Sequence, residues 1–433
     1  MADIVIRGGR VVDANGSCDA DVLVLDGRIV AVERVIDAPA RALVIDAAGC
    51  VVAPGLVDLH THLRQPGNEE AETVETGARA AALGGYTAIV AMPNTDPAID
   101  CAPVVRDVLE MGRAVACRVA VAGAISVGRK GEQLAPMAEM ASLGVRIFTD
   151  DGTGVQDAGL MRRALEYARP LGVTLAQHCE DESLAAGGHM HEGAWSSRLG
   201  IPGRPAIAEE CMVARDLALA RLTGAPLHLL HLSCAGSVEL VRQAKAAGLP
   251  VTAEATPHHL ALTDGEVVGY DPVFKVHPPL RTRADVEAVR AGVADGTIDA
   301  IATDHAPHSK EAKEEPFDQA PAGMIGLETA LAVAHGALCL GVGLPIESLF
   351  ERCSWGPARI AGLDGEGGHG GPIAAGRPAN LVVFDPKTSW TVDASHSASR
   401  SRNTPFAGRA LTGRVRHTVL QGEPVVLDGE AQR

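Results

Sequence analysis

Apolar positions recur along this chain in two rhythms. Near both ends they alternate with polar ones in short runs broken by Gly, Asp or Asn, the pattern of half-buried strands. Asp21-Val-Leu-Val-Leu-Asp-Gly-Arg-Ile-Val-Ala-Val32 predicts a hairpin turning at Asp26-Gly27. Asn380–Asp385 and Val415–Leu427 repeat the style, the latter with a turn at Gln421-Gly422. A Gly-rich stretch, Gly365 to Gly371, sets this tail apart from what precedes it. Between the ends, eight β-branched or apolar runs appear: Leu56–His60, Thr87–Met92, Arg118–Ala122, Val145–Thr149, Thr174–His178, Leu227–Leu232, Val251–Ala255 and Ala300–Asp304. Ala-rich amphipathic stretches separate them, such as Glu75 to Leu83, Glu209 to Leu222 and Val238 to Ala247. The apolar run Val51 to Val57 reads as one buried strand leading to His60.

Eight strand–helix units in the middle of the chain predict an α/β fold of the (β/α)8 TIM-barrel type over 53–365. The two β-rich ends, 1–52 and 366–433, predict one small β-sandwich domain assembled from both termini. An open doubly wound sheet would want Gly-x-Gly-x-x-Gly after its first strand, and none is there.

Composition narrows the class. The 433 residues are 46% hydrophobic and only 3% aromatic, with scattered Gly and Pro. This suits one large domain plus a smaller one. The net charge is -16, from 38 Lys+Arg against 54 Asp+Glu, with no basic cluster. That argues against nucleic acid or an anionic membrane as partner. No apolar stretch is long enough to span a bilayer, and the N-terminus lacks the apolar core of a signal peptide. Nine Cys without a Cys-x-x-Cys pair suggest free thiols in a reducing compartment, so a cytoplasmic location is expected.

Barrel enzymes build their sites where strands end, and here those ends carry metal-type ligands. His60 and His62 end the first run, Asp150-Asp151-Gly152 the fourth and His178 the fifth. His231 ends the sixth, and Asp304-His305 the eighth, with His308 close behind. Alternation along a strand points His60 and His62 the same way. Any one of these could be a polar strand end or a turn residue; their recurrence at corresponding ends is what points to metal. Imidazole nitrogen suits zinc and its neighbours. His60, His62, Asp151, His178, His231 and Asp304 are too many for one tetrahedral ion. They suit two ions about 3.5–4 Å apart sharing a carboxylate. Other candidates carry less. His189-Met190-His191 follows Gly187-Gly188 with no strand before it and reads as a surface loop. His258-His259 read as structural or as support for the ligands. His228 is expected on the face opposite His231, and Cys179 and Cys234 as packing residues.

The motifs resemble those of dihydroorotases of the longer bacterial type, within the amidohydrolase superfamily. The matching segments span nearly the whole chain. They are Asp58-Leu-His-Thr-His-Leu-Arg-Gln-Pro-Gly67, Met92-Pro-Asn-Thr-Asp-Pro97, Thr149-Asp-Asp-Gly152, Gln177-His-Cys-Glu-Asp181 and His231-Leu-Ser233. Ala255-Thr-Pro-His-His259, Thr303-Asp-His-Ala-Pro-His308 and Gly326-Leu-Glu-Thr329 complete the set. The resemblance implies two zinc ions per subunit: His60, His62 and Asp304 on one, His178 and His231 on the other, and Asp151 between them. It implies that His62, Arg64, Asn94 and His308 contact substrate, the last three through its α-carboxylate, and that Asp304 shuttles the proton at the ring nitrogen. The reaction implied is the reversible cyclisation of N-carbamoyl-L-aspartate to L-dihydroorotate in pyrimidine (UMP) synthesis. A homodimer, and association with aspartate transcarbamoylase, are implied as well. Three positions depart from the family pattern. His277 stands where Asn usually contacts the pyrimidine edge. Ala322-Gly323 replaces a frequent Phe-Gly whose backbone faces the ring. Gln65 replaces the commoner Glu.

Two rival readings differ in chemistry. Hydantoinases, dihydropyrimidinases and allantoinases bridge their metals with a carboxylated lysine on the fourth strand; here that strand reads Val145-Arg-Ile-Phe148, without Lys. A non-catalytic dihydroorotase-like subunit of aspartate transcarbamoylase would have lost ligands, and this chain keeps all six.

Overall fold

The computed structural model describes residues 3–365 and 367–433. Glu366, the expected first residue of the C-terminal half of the small domain, lies outside that range with Met1 and Ala2.

Eight parallel strands form the central barrel: Leu56–Thr61, Tyr86–Ala91, Arg118–Val121, Ile147–Phe148, Thr174–Gln177, Leu227–Leu229, Val251–Ala255 and Ala300–Ile301. Successive strands pair in parallel. A Gly123–Phe148 bridge joins the third to the fourth, and a Thr61–His305 bridge closes the eighth onto the first. The closure has a specific clamp. Asp58, fully buried in the first strand, accepts hydrogen bonds from the Thr303 amide (2.9 Å) and hydroxyl (2.5 Å) across the seam. Both oxygens of this buried carboxylate thereby find partners, which a low-dielectric interior demands.

The helices lie outside. Val74–Leu83 carries five buried alanine and valine side chains on its inner face, and Thr73 caps its first turn by accepting from the Thr76 amide. Ala206–Thr223 and Ala235–Ala246 fall where the amphipathic stretches placed them. Among the described residues, no helix is long and apolar enough to cross a membrane.

A second sheet of nine strands draws on both ends of the chain. Its N-terminal hairpin, Gly16–Leu25 and Arg28–Glu33, turns at Asp26-Gly27, both at positive φ (49° and 79°). That is the turn an Asp-Gly pair favours. Ile4, Ile6, Val22, Val24, Leu381 and Val419 bury in this sheet's own core.

One expectation needs correction. The apolar run from Val51 to Val57 is two strands rather than one. Val51–Pro54 pairs with Leu381–Thr391 in the terminal sheet, while Leu56–Thr61 belongs to the barrel. The break is Gly55, where a Cβ would sit 2.1 Å from the Thr87 methyl. Only glycine allows so close an approach as the chain leaves one sheet for the other.

Candidate active site

The metal-type ligands meet at the C-terminal mouth of the barrel. Two clusters form there: His60, His62 and Asp151; and Asp151, His178 and His231. Asp151 belongs to both. Its Oδ1 lies 3.3 Å from His60 Nε2, 3.5 Å from His178 Nδ1 and 3.7 Å from His231 Nε2. Its Oδ2 lies 3.5 Å from His62 Nε2. Asp304 joins the first cluster, with Oδ1 3.0 Å from His62 Nε2 and 3.5 Å from His60 Nε2. All six side chains are buried.

Backbone geometry aims them. Arg64, His231 and Asp304 sit at positive φ (61°, 34° and 46°), a region that non-glycine residues rarely occupy. Such strain concentrates at functional sites, where the surroundings over-determine it. The adjacent Asp150 and Asp151 divide their labour. Asp150 accepts from the Ile125 and Ser126 amides at 2.9 and 3.0 Å and holds the loop. Asp151 faces the histidines.

The electrostatics are those of a site built for cations. Burial opposes protonation of His60, yet Asp151 and Asp304 outweigh it and raise its pKa well above the ordinary imidazole value. His178 is likewise raised against burial, to about 9, by Asp151 and Glu180. Burial would raise the carboxyls of Asp151 and Asp304, but the surrounding imidazoles hold both well below their usual range. Two nitrogens converge on each other, His178 Nδ1 and His231 Nε2, at 2.9 Å. His60 Nε2, which faces Asp151 and Asp304, is buried with no hydrogen-bond partner among the described residues. An orphaned buried nitrogen between carboxylates fits a metal: an ion would satisfy what no protein group does.

Behind the ligands stands a layer of support. His60 Nδ1 lies 2.8 Å from Glu254 Oε1, and His228 Nε2 lies 3.0 Å from Glu254 Oε2. His228 Nδ1 in turn meets the Thr252 hydroxyl at 2.8 Å. His62 Nδ1 donates to Asn94 Oδ1 at 2.8 Å if Nε2 is left for the cation. Such partners fix the ring and its tautomer. His228 therefore does not face away from His231 as strand alternation predicts. The strand ends at Leu229, and His231 lies beyond it at φ 34°, so the two-residue period no longer applies. His189–His191 is not a surface loop. Met190–His191 pairs with Gly203–Arg204, and His191 is buried against Arg281. A ribbon two residues long is too short to leave a periodic signal. His258 and His259 are buried on the short helix Pro257–Ala261, where His259 Nε2 reaches the Pro278 carbonyl at 3.0 Å. Cys179 and Cys234 are buried, with thiols pushed up chiefly by burial.

Eleven of the twelve candidate residues line one cavity of about 250 Å³; His60, fully buried, does not. In the same cavity, Arg64 Nε donates to the Pro307 carbonyl at 3.1 Å, and its Nη2 lies 3.4 Å from His308 Nε2. His308 Nε2 donates to the Ala322 carbonyl at 2.8 Å. Gly323 donates its amide to the Lys275 carbonyl at 2.9 Å. A Cβ at Gly323 would lie 2.7 Å from His308 Nε2, at a φ of 144°. His277 also lines the cavity, with Nε2 buried and unpartnered; burial, with Arg204 nearby, lowers its pKa to about 3. It is a neutral ring with a free nitrogen. Glu180, bonded to Arg204 at 2.7 Å, lines an adjoining cavity of about 270 Å³ that shares His178 and His277 with this one. A larger cavity of about 350 Å³ lies against the terminal sheet behind His305, but neither ligand cluster borders it.

Reading the sequence missed Glu254, Glu180 and Asp58. Glu254 was detectable: it is the one charged residue in the buried strand Val251–Ala255. Attention to strand ends passed over it.

A closed eight-stranded barrel with converging imidazoles and carboxylates at its mouth, joined to a terminal β-sandwich, defines a cyclic amidohydrolase. Solved structures agree: L-hydantoinase (dihydropyrimidinase) from Arthrobacter aurescens superposes with a TM-score of 0.88 at 27% identity, covering 100% of this chain and 98% of that one. Dihydropyrimidinase from Brevibacillus agri gives 0.86 at 25% identity, covering 99% and 96%. A model of the Dihydro-orotase-like family matches residues 49–237. The dihydroorotase of Anaeromyxobacter dehalogenans is 49% identical over the full length of both chains, and that of Streptomyces coelicolor 48% identical over 99% of this chain and 100% of its own. The chain belongs to the dihydroorotase family.

Proposed function

We propose that this protein interconverts N-carbamoyl-L-aspartate and L-dihydroorotate, a cyclic-amide reaction of pyrimidine synthesis. The observation that carries the reading is the single cavity lined by members of both histidine–aspartate clusters together with Arg64, Asn94 and His308. Both substrates bear carboxylates, and a guanidinium fork matches that group.

In this reading His60, His62 and Asp304 would hold one zinc ion, His178 and His231 would hold a second, and Asp151 would serve both. When bound, the ions supply Lewis acidity to the reacting carbonyl and a nucleophile near neutral pH. The chain's own residues do the rest. Arg64, Asn94 and His308 seat the α-carboxylate and so fix the ring in the cavity. His277 and the Ala322-Gly323 backbone face the ring's edge, and His62 contacts the substrate beside its ion. In hydrolysis Asp304, a carboxylate at rest, takes a proton from the attacking water and passes it to the leaving ring nitrogen; in cyclisation it takes the proton from that nitrogen and returns it to the departing water oxygen.

The hydantoinase reading draws on the fold likeness. Against it stands Asp151 in place of a bridging lysine. Purified protein offered dihydroorotate, dihydrouracil and allantoin is expected to turn over the first alone. Preference for either of the others would overturn the assignment. A homodimer and association with aspartate transcarbamoylase belong to the same proposal. Light scattering of the protein alone, and mixed with that enzyme, tests both.

Metal loading should be coupled to protons. With His178 raised to about 9, its ligand nitrogen is protonated below that pH, and an ion must displace the proton. Adding zinc to the chelator-stripped protein is therefore expected to acidify an unbuffered indicator solution, and affinity to rise with pH toward about 9. Loading without proton release would contradict this.

A further inference from the structure

The two long terminal-sheet strands Leu381–Thr391 and Ala410–Leu420 are joined by a connection that leaves the sheet and returns to the barrel mouth. Asn403, only 5% exposed, spends its whole side chain there. Its Nδ2 donates to the Ala306 carbonyl at 3.0 Å and to the Gly323 carbonyl at 3.1 Å, and its Oδ1 accepts from the His308 amide at 3.3 Å. Its carbonyl accepts from the Ile325 amide at 3.1 Å. Just before it, the Arg400 amide donates to Glu72 Oε1 at 3.1 Å, and the Ser401 hydroxyl to the Ala71 carbonyl at 2.8 Å. Glu72 lies on the loop that follows Arg64, and its other oxygen meets His305 Nε2 at 3.2 Å.

One short segment thus ties together three stretches that meet at the cavity: the loop after Arg64, the segment 304–308, and 322–325. None of these bonds serves the terminal sheet itself. We propose that residues 399–403 form a strap that holds the carboxylate-binding wall in shape, with Asn403 as a positioning residue for His308 and Gly323. This rests on reading Arg64, Asn94 and His308 as the carboxylate subsite. Asn403 touches no ligand of the clusters. Its loss should leave metal in place and loosen the wall around His308 and Gly323. Small misplacements of a binding group cost heavily in such sites.

The test is Asn403→Ala beside the wild-type protein, with His396→Ala, an exposed change on the same connection, as control. Expected for Asn403→Ala is a rise in KM for L-dihydroorotate of roughly ten- to a hundredfold, with kcat little changed. Zinc content should stay at the wild-type value, and Tm should fall only modestly, through the three buried bonds lost. Hydrogen exchange should quicken over 304–308 and 321–325 and nowhere else. His396→Ala should match the wild type in every measure. Unchanged KM, a fall in kcat at constant KM, or unchanged exchange would overturn the proposal. If Asn403→Ala does not fold, Asn403→Asp carries the test. It keeps the acceptor for the His308 amide and sets a carboxylate against two carbonyls, and should raise KM at least as far. If the wild type fails to turn over dihydroorotate, the functional reading falls. Exchange then decides the strap alone: local loss of protection supports it, and unchanged protection overturns it.

Discussion

Asp151→Ala is expected to strip the protein of metal and turnover together. Among the described residues, Asp151 is the only carboxylate common to both clusters, and its two oxygens face four imidazoles within 3.7 Å. Removing it leaves those rings without the negative charge that draws cations among them. Lewis-acid stabilisation is worth several kcal/mol. At about 1.4 kcal/mol per decade, dihydroorotate hydrolysis should fall by about a thousandfold or more. Asp304→Ala should abolish turnover just as nearly, while retaining more metal, because the cluster of Asp151, His178 and His231 does not need it. Elemental analysis alongside the hydrolysis assay separates the two variants. Retention of most activity by both would rule out the binuclear reading.

Glu254→Ala should strike from behind. This carboxylate is fully buried between His60 and His228, and those rings hold its pKa near 2 against the opposing effect of burial. Deleting it leaves two buried imidazoles facing a void. Breaking one side of a buried charged pair typically costs about 3–5 kcal/mol. Loss of a ligand's supporting carboxylate weakens metal binding by roughly 10–100-fold. Thermal unfolding of the metal-free protein reads the first effect, and competition with a chromophoric chelator the second. Glu254→Gln keeps the shape and should lose affinity with a smaller loss of stability. The sign with pH follows from the lowered value. The ionised group stabilises the fold above the ordinary carboxyl range near 4.5, and that contribution fades as pH falls toward about 2. Wild-type acid unfolding should therefore include a component that Glu254→Gln lacks. Identical acid transitions, or unchanged metal affinity in both variants, would remove Glu254 from the site's support.

What the sequence disclosed and what it hid follow from range. His60, His62, Asp151, His178, His231 and Asp304 were legible because a parallel barrel presents all its strand ends at one mouth. Recognising eight strands was therefore enough to gather residues far apart in the chain. The hairpin at Asp26-Gly27 was legible because turn chemistry is local. Gly55 was not, since an apolar run looks alike whether it serves one sheet or two. His228 was misplaced because alternation was extended past the point where the strand ends. Glu254 and Asn403 escaped for a different reason. Their partners are 194 and 95 residues away, in the bonds to His60 and His308, and no period or motif encodes such a pairing.

The Gly55 crossing also bears on how the molecule is made. Val52 pairs with Val383 in the terminal sheet, so the first five strands leave the ribosome with their sheet incomplete. They wait, with an unpaired edge at Val51–Pro54, while the whole barrel is synthesised. Pairing across such a separation is slow to form, and open strand edges are where chains aggregate. Aggregation is therefore expected to be most pronounced in chains in which Leu381–Thr391 has not yet paired with that edge.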